Sequence, residues 1–129
     1  MTNIRLSVLD QSPIRSGGTA QDALNETTQL ACLTDRLGYH RYWVAEHHNS
    51  TGLTGSAPEI LIARLASMTN HIRLGSGGVM LSHYSPYKVA EVFNLLETLF
   101  PGRIDLGIGR APGSDQLTAH ALAYGHPPR

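Results

Sequence analysis

Four short apolar runs alternate with helical patterns along this chain, and that order limits the fold more than any single motif does. The first run, Ile4-Arg5-Leu6-Ser7-Val8-Leu9-Asp10, alternates apolar and polar residues and predicts a strand. It stops at Asp10-Gln11-Ser12-Pro13, where serine and proline break the pattern. Ala20, Ala23, Leu24, Thr27, Ala31, Thr34 and Leu37 then recur at helical spacing. Thr19 and Asp22 form a loose capping box ahead of them, and Gly38 suits the left-handed residue that closes the helix.

Residues 41–45 predict a second strand, which ends abruptly in Glu46-His47-His48. Ser56-Ala57-Pro58-Glu59 reads as a helix start, with the serine hydroxyl accepting from the Glu59 amide and the carboxylate reaching back. That helix runs to about Thr69, with Asn70 to close it, and its apolar surface is wider than one stripe. Residues 72–81 predict a third strand and its exit, interrupted by Gly75, Gly77 and Gly78. Ser85-Pro86 opens a third helix, and Pro101-Gly102 ends it. Residues 103–108 predict a fourth strand leading into Gly109-Arg110. A short helical pattern from Gln116 to about Ala123 follows.

The repeat of about 30 to 37 residues is the size of a βαβ unit. Such alternation implies an α/β fold with a parallel sheet and right-handed crossovers. In parallel α/β sheets, sites form beyond the carboxyl ends of the strands. Those ends are Asp10-Gln11, Glu46-His47-His48, Gly77-Gly78 and Gly109-Arg110, and they are expected to converge.

The formal net charge of zero gives no electrostatic reason to propose nucleic acid or a membrane as partner. No apolar run approaches the roughly 20 residues of a membrane span, and the first residues do not read as a signal peptide. The single cysteine, Cys32, rules out a disulfide within the chain, reads as a small core residue and makes a reducing cytoplasm the default.

The strand-end residues carry several readings. By residue type, His47 and His48 are hydrogen-bonded rim residues or metal ligands. Metal is the weaker reading, because neighbours on a strand point to opposite faces and cannot both chelate. Glu46 either orients an imidazole or is a surface carboxylate. Gly77-Gly78 lets backbone approach a flat ligand, or is a barrel-corner pair with no ligand. Arg110 suits a phosphate, or is solvated or ion-paired. Asp10 fixes its loop or lines the site floor. His40, His71, His83, His120 and His126 are expected on the surface or in loops. Gly107-Ile108-Gly109 is no dinucleotide fingerprint, since the third glycine falls on Pro112.

Together, Leu9-Asp10-Gln11-Ser12-Pro13, Trp43-Val44-Ala45-Glu46-His47-His48, Leu74-Gly75-Ser76-Gly77-Gly78-Val79-Met80-Leu81 and Gly102-Arg103-Ile104-Asp105-Leu106-Gly107-Ile108-Gly109-Arg110 resemble the luciferase-like flavin-dependent monooxygenases. That family folds as a (β/α)8 TIM barrel. A barrel needs eight strands and this sequence supplies four, so residues 1–122 are expected to form an N-terminal half barrel. The tail 123–129 departs from the family pattern. The resemblance implies a parent enzyme that uses reduced FMN, supplied by a reductase, and O2 on a small organic substrate. The deazaflavin F420 is the alternative cofactor. His47 would then act beside the flavin ring as base or orienter. Gly77 and Gly78, often joined by a cis peptide in the family, would lie against the ring, and Arg110 would reach the phosphate. The family pairs through helices two and three, which implies a homodimer. Alone, this chain is expected to be inactive and without cofactor. The rival reading is a non-catalytic half barrel that self-associates through unpaired edge strands and an apolar inner face.

Overall fold

The computed structural model of the protein describes residues 3–124. Strands β1 (Ser7–Asp10), β2 (Arg41–Val44), β3 (Arg73–Ser76) and β5 (Ile104–Asp105) form one sheet in the order β1-β2-β3-β5. All three pairings are parallel, with Asp10 opposite Val44 and Val44 opposite Ser76. Helices α1 (Ala20–Arg36), α2 (Pro58–Met68) and α3 (Pro86–Leu99) make the crossovers, and a short α4 (Gln116–Leu122) follows. β1 and β5 are the unpaired edges.

The third and fourth sequence strands each come in two pieces. β4 (Val79–Met80) and β6 (Ile108–Gly109) pair with each other in a separate two-stranded ribbon. The third strand breaks at Gly77-Gly78, which are joined by a cis peptide bond. The fourth breaks at Gly107, where a Cβ would fall 2.0 Å from the Ser76 carbonyl oxygen. No other residue allows that backbone approach, and the Gly107 amide uses it to donate to Ser76 Oγ at 3.0 Å.

The core lies between the sheet and its helices. Tyr42, Val44 and Leu74 point to that side, as the period of two dictates, and pack with Ala31, Ile62, Leu65 and Ile72. Burying each large side chain stabilises the fold by about 1.5–3 kcal/mol. α1 starts as its sequence predicts: Thr19 accepts from the Asp22 amide, and the Asp22 carboxylate accepts from the Thr19 amide. Ser85 caps α3 by accepting from the Lys88 amide. Cys32 is half-buried, its Sγ donating to the Met68 carbonyl.

The start of α2 differs from expectation. Proline without an N–H belongs in the first turn, so Pro58 makes Ala57 the cap, and Ser56 is left outside and makes no cap bond. The end of α2 is held by Asp35 instead. Its carboxylate accepts from the Asn70, His71 and Ile72 amides at 2.8–2.9 Å, which pins the entry to β3. Tail residues 125–129 lie outside the described residues, and α4 closes at Ala123.

The other side of the sheet is not the apolar surface expected for the barrel interior. Asp105 accepts from Arg41 Nε at 2.7 Å and takes Arg73 through two bonds of 2.9 Å. The Arg41 guanidinium also lies 5.0 Å over the Trp43 ring, a cation–π contact. Gly75 is bare because the Trp43 ring covers it; a Cβ there would come within 2.6 Å of the indole. Only the upper part of this side is apolar, where Leu9, Leu106 and Ile108 are exposed. On the outer helices, Ile60 of α2 and Leu95 and Leu99 of α3 are exposed as well.

Burial works against the charge of both Asp35 and Asp105. Three backbone donors overcome it for the first and the Arg73 and Arg41 guanidinium groups for the second, so both carboxyl pKa values lie below the ordinary value. Their folded values are depressed, so their contribution is complete above about pH 4 and is lost as acid takes the pH through the lowered values. Asp105→Asn is expected to cost about 1–3 kcal/mol at neutral pH and to flatten the loss of stability below about pH 4. Denaturant titrations of both proteins at neutral and acid pH measure this; an unchanged pH dependence would contradict it.

Candidate functional site

Because β1, β2, β3 and β5 run parallel and in register, their carboxyl ends finish on one rim. Backbone bonds stitch the segments beyond them together. Ala45 N donates to Asp10 O, Gly77 N to Val44 O, and Val79 N to Gly107 O. His47 N donates to Gly55 O at 2.7 Å and His48 N to Gly113 O at 3.0 Å. The β4–β6 ribbon sets Met80 beside Gly109, one residue before Arg110.

His47 and His48 line a cleft of about 500 Å³ with Asn49, Ser50, Thr51, Leu53, Gly113, Ser114 and Asp115. His47 is half-buried, and its Nδ1 is buried without a hydrogen-bond partner among the described residues. Asp115 caps α4, and the Thr118 amide, with help from Asn49, holds its carboxyl down to about 2. Arg110 is exposed and forms no ion pair among the described residues.

Gly77 and Gly78 are bare for different reasons. Gly77 is exposed, and its missing side chain would meet Trp43 Cβ at 3.2 Å and Leu9 Cδ1 at 3.4 Å. A Cβ on Gly78 would lie 2.9 Å from the Gly107 and Ile108 carbonyl carbons. Close backbone packing therefore accounts for Gly78, and only Gly77 leaves open surface. Among the described residues, no three His, Cys, Asp or Glu side chains group as a metal site.

Glu46 is the residue whose weight the sequence leaves undecided. It is only 1% exposed, so it is not a surface carboxylate. Its Oε2 accepts from the Tyr84 hydroxyl at 2.8 Å and lies 2.7 Å from His48 Nε2, while Oε1 accepts from the Met80 amide at 3.2 Å. Burial, and then the Glu46 carboxylate, push the Tyr84 hydroxyl pKa well above its ordinary value. A signal existed: Tyr42, Val44 and Glu46 share one parity, and the first two are core. The partner Tyr84 sits beyond a 3-10 turn (Leu81–His83) and carries no such signal.

Asp10, 9% exposed, repeats the arrangement one strand away. It accepts from the Ser12 amide at 2.7 Å and from the Tyr42 hydroxyl, so it fixes its loop, one of its two sequence readings. His83 lies in the turn between β4 and α3, one of its two expected positions, but it is not on the surface. It is 9% exposed, with Nε2 donating to Pro112 O at 2.6 Å and Nδ1 buried without a partner among the described residues.

A family model described as luciferase-like monooxygenase matches residues 4–129. The chain is 61% identical over 119 residues to the N-acetyl-S-alkylcysteine monooxygenase of Bacillus subtilis (strain 168), covering 92% of this chain and 36% of that protein. Apo-MsnO8 superposes with a TM-score of 0.94 at 52% identity, covering 98% of this chain and 38% of that one. The oxygenating constituent of 3,6-diketocamphane monooxygenase from Pseudomonas putida, solved with FMN, shares the fold at 24% identity with a TM-score of 0.82, over 94% of this chain and 32% of its own. The chain thus spans about a third of these relatives' length. Its parallel strands and crossover helices are four β/α units of their TIM barrel. With the sequence match running through all four rim segments, the chain belongs to the luciferase-like monooxygenase family.

Proposed function

We propose that this rim is the cofactor side of a flavin-dependent monooxygenase that acts on a small organic substrate with O2. The orphaned Nδ1 of His47 carries the reading: a buried ring nitrogen without a partner is costly unless something else pairs with it. The exposed backbone at Gly77, beside Trp43 and Leu9, suits a flat ring, and Arg110, exposed and without an ion pair among the described residues, suits a phosphate. Reduced FMN, when bound, supplies the electrons and activates oxygen. His47 orients the ring and holds or takes a proton at its imidazole. Gly77 and the backbone of Gly78 support the ring, and Arg110 binds the phosphate. F420 is the alternative cofactor, distinguished by which of the two binds. The enzyme works in the cytoplasm, and a separate reductase feeds it.

The barrel half is residues 1–122, and its copies pair through α2 and α3. The exposed Ile60, Leu95 and Leu99 support that surface. With four of the eight strands, the chain does not close a dry pocket, so it turns over little or no substrate by itself.

Two experiments test this reading. FMN fluorescence should be quenched weakly by the chain, without turnover, and Arg110→Ala should weaken the binding about tenfold. Equal affinity in the variant, or steady FMN-dependent oxidation by the chain alone, would contradict the reading. Light scattering at micromolar concentration should report a dimer or larger, and Leu95→Glu should reduce it; a monomer throughout would remove the pairing surface.

A further inference from the structure

Glu46, His48 and Tyr84 form a cluster that the flavin reading leaves unused. A carboxylate so nearly removed from water is costly unless its oxygens are satisfied. The Met80 amide can only donate to it, and the Tyr84 hydroxyl, held protonated by burial and by Glu46 itself, donates as well. His48 Nε2 lies 2.7 Å from the same Oε2 that takes Tyr84. Two bare lone pairs would repel at that distance, so Nε2 carries the proton. The other ring nitrogen, Nδ1, is then the bare one. It has no hydrogen bond among the described residues and is not among the buried unpartnered atoms, so it reaches solvent.

The geometry points to His48 as a second proton-accepting imidazole of this rim, beside His47, with Glu46 and Tyr84 as its positioning residues. Nδ1 takes the proton of an acidic O–H or N–H group on a small molecule in the cleft. The donor's bond to hydrogen breaks, an Nδ1–H bond forms, and the resulting imidazolium sits against the Glu46 carboxylate. The buried negative charge is thereby balanced. His47 has no carboxylate on its ring among the described residues, so only His48 is held this way. Other titratable groups nearby are His83, whose ring lies edge-on at 6.4 Å from His48, and Asp115, which lines the same cleft. The inference rests on the proposed reading of the rim as a reaction site, but its test needs no flavin.

The test is the tautomer of His48 in the 129-residue chain, read from long-range proton–nitrogen spectra of ¹⁵N-histidine protein at about pH 8, where an ordinary imidazole is neutral. His48 should show one tautomer, with Nδ1 bare and an Nε2–H protected from solvent exchange. Glu46→Gln should release the ring, so that both nitrogens shift toward averaged values. Tyr84→Phe should keep the tautomer, because Glu46 remains. A proton found on Nδ1, an unprotected Nε2–H, or His48 signals indifferent to Glu46→Gln would each overturn the proposal. If Glu46→Gln does not fold, the protected Nε2–H of the unaltered protein decides, since an unrestrained ring shows none. Failure of FMN to bind while this tautomer stands would sink the flavin reading and leave the dyad intact.

Discussion

A single buried carboxylate holds the functional end of this molecule together. Glu46 ties the end of β2 to the first residues of β4 and to the turn that carries Tyr84, and it fixes one of two adjacent imidazoles on the way. It can do so because it is nearly free of water: in a low-dielectric setting each of those bonds is stronger, and each missing one would cost more. Asp10, bonded to Tyr42, repeats the device on the neighbouring strand. Two carboxylates on adjacent strand ends thus face the helices, while the histidine cleft and the bare Gly77 face out.

The sheet has two unlike sides. The helix side is a conventional apolar core around Tyr42, Val44 and Leu74. The barrel side carries an ionic layer near its amino-terminal end, two guanidinium groups on the one Asp105 carboxylate, below an apolar layer at Trp43 and Leu9. That layering puts a structural ion cluster at the bottom and leaves the top, beside the strand ends, for chemistry.

The order of elements was legible because each strand and helix announces itself by period. The Thr19–Asp22 box and the Ser85-Pro86 start are local chemistry and form as read. What was not legible came from contacts distant in sequence. Ser56 has the right neighbours for a cap, but Pro58 shifts the helix start past it. The fourth strand reads as continuous, yet it divides because Gly107 meets Ser76, 31 residues earlier. Arg41 and Asp105 are 64 residues apart, and no spacing rule announces their pairing across the barrel interior. Of the site residues, His47, Gly77, Gly78 and Arg110 all fall on the rim their strand ends define. Close backbone packing at Gly78 is a contact between distant residues that its sequence does not announce, and the importance of Glu46 shows only with Tyr84 beside it.

Native-state hydrogen exchange of the rim amides shows whether the strand ends form one unit. Met80 N–H bonds to Glu46, His48 N–H to Gly113 and Gly77 N–H to Val44, three bonds that exist only if the strand ends form one stitched rim. All three amides should be protected and open together, as one cooperative unit with the Leu74 amide of β3. Free exchange of these three while Leu74 stays protected would mean that the strand ends do not form a common site.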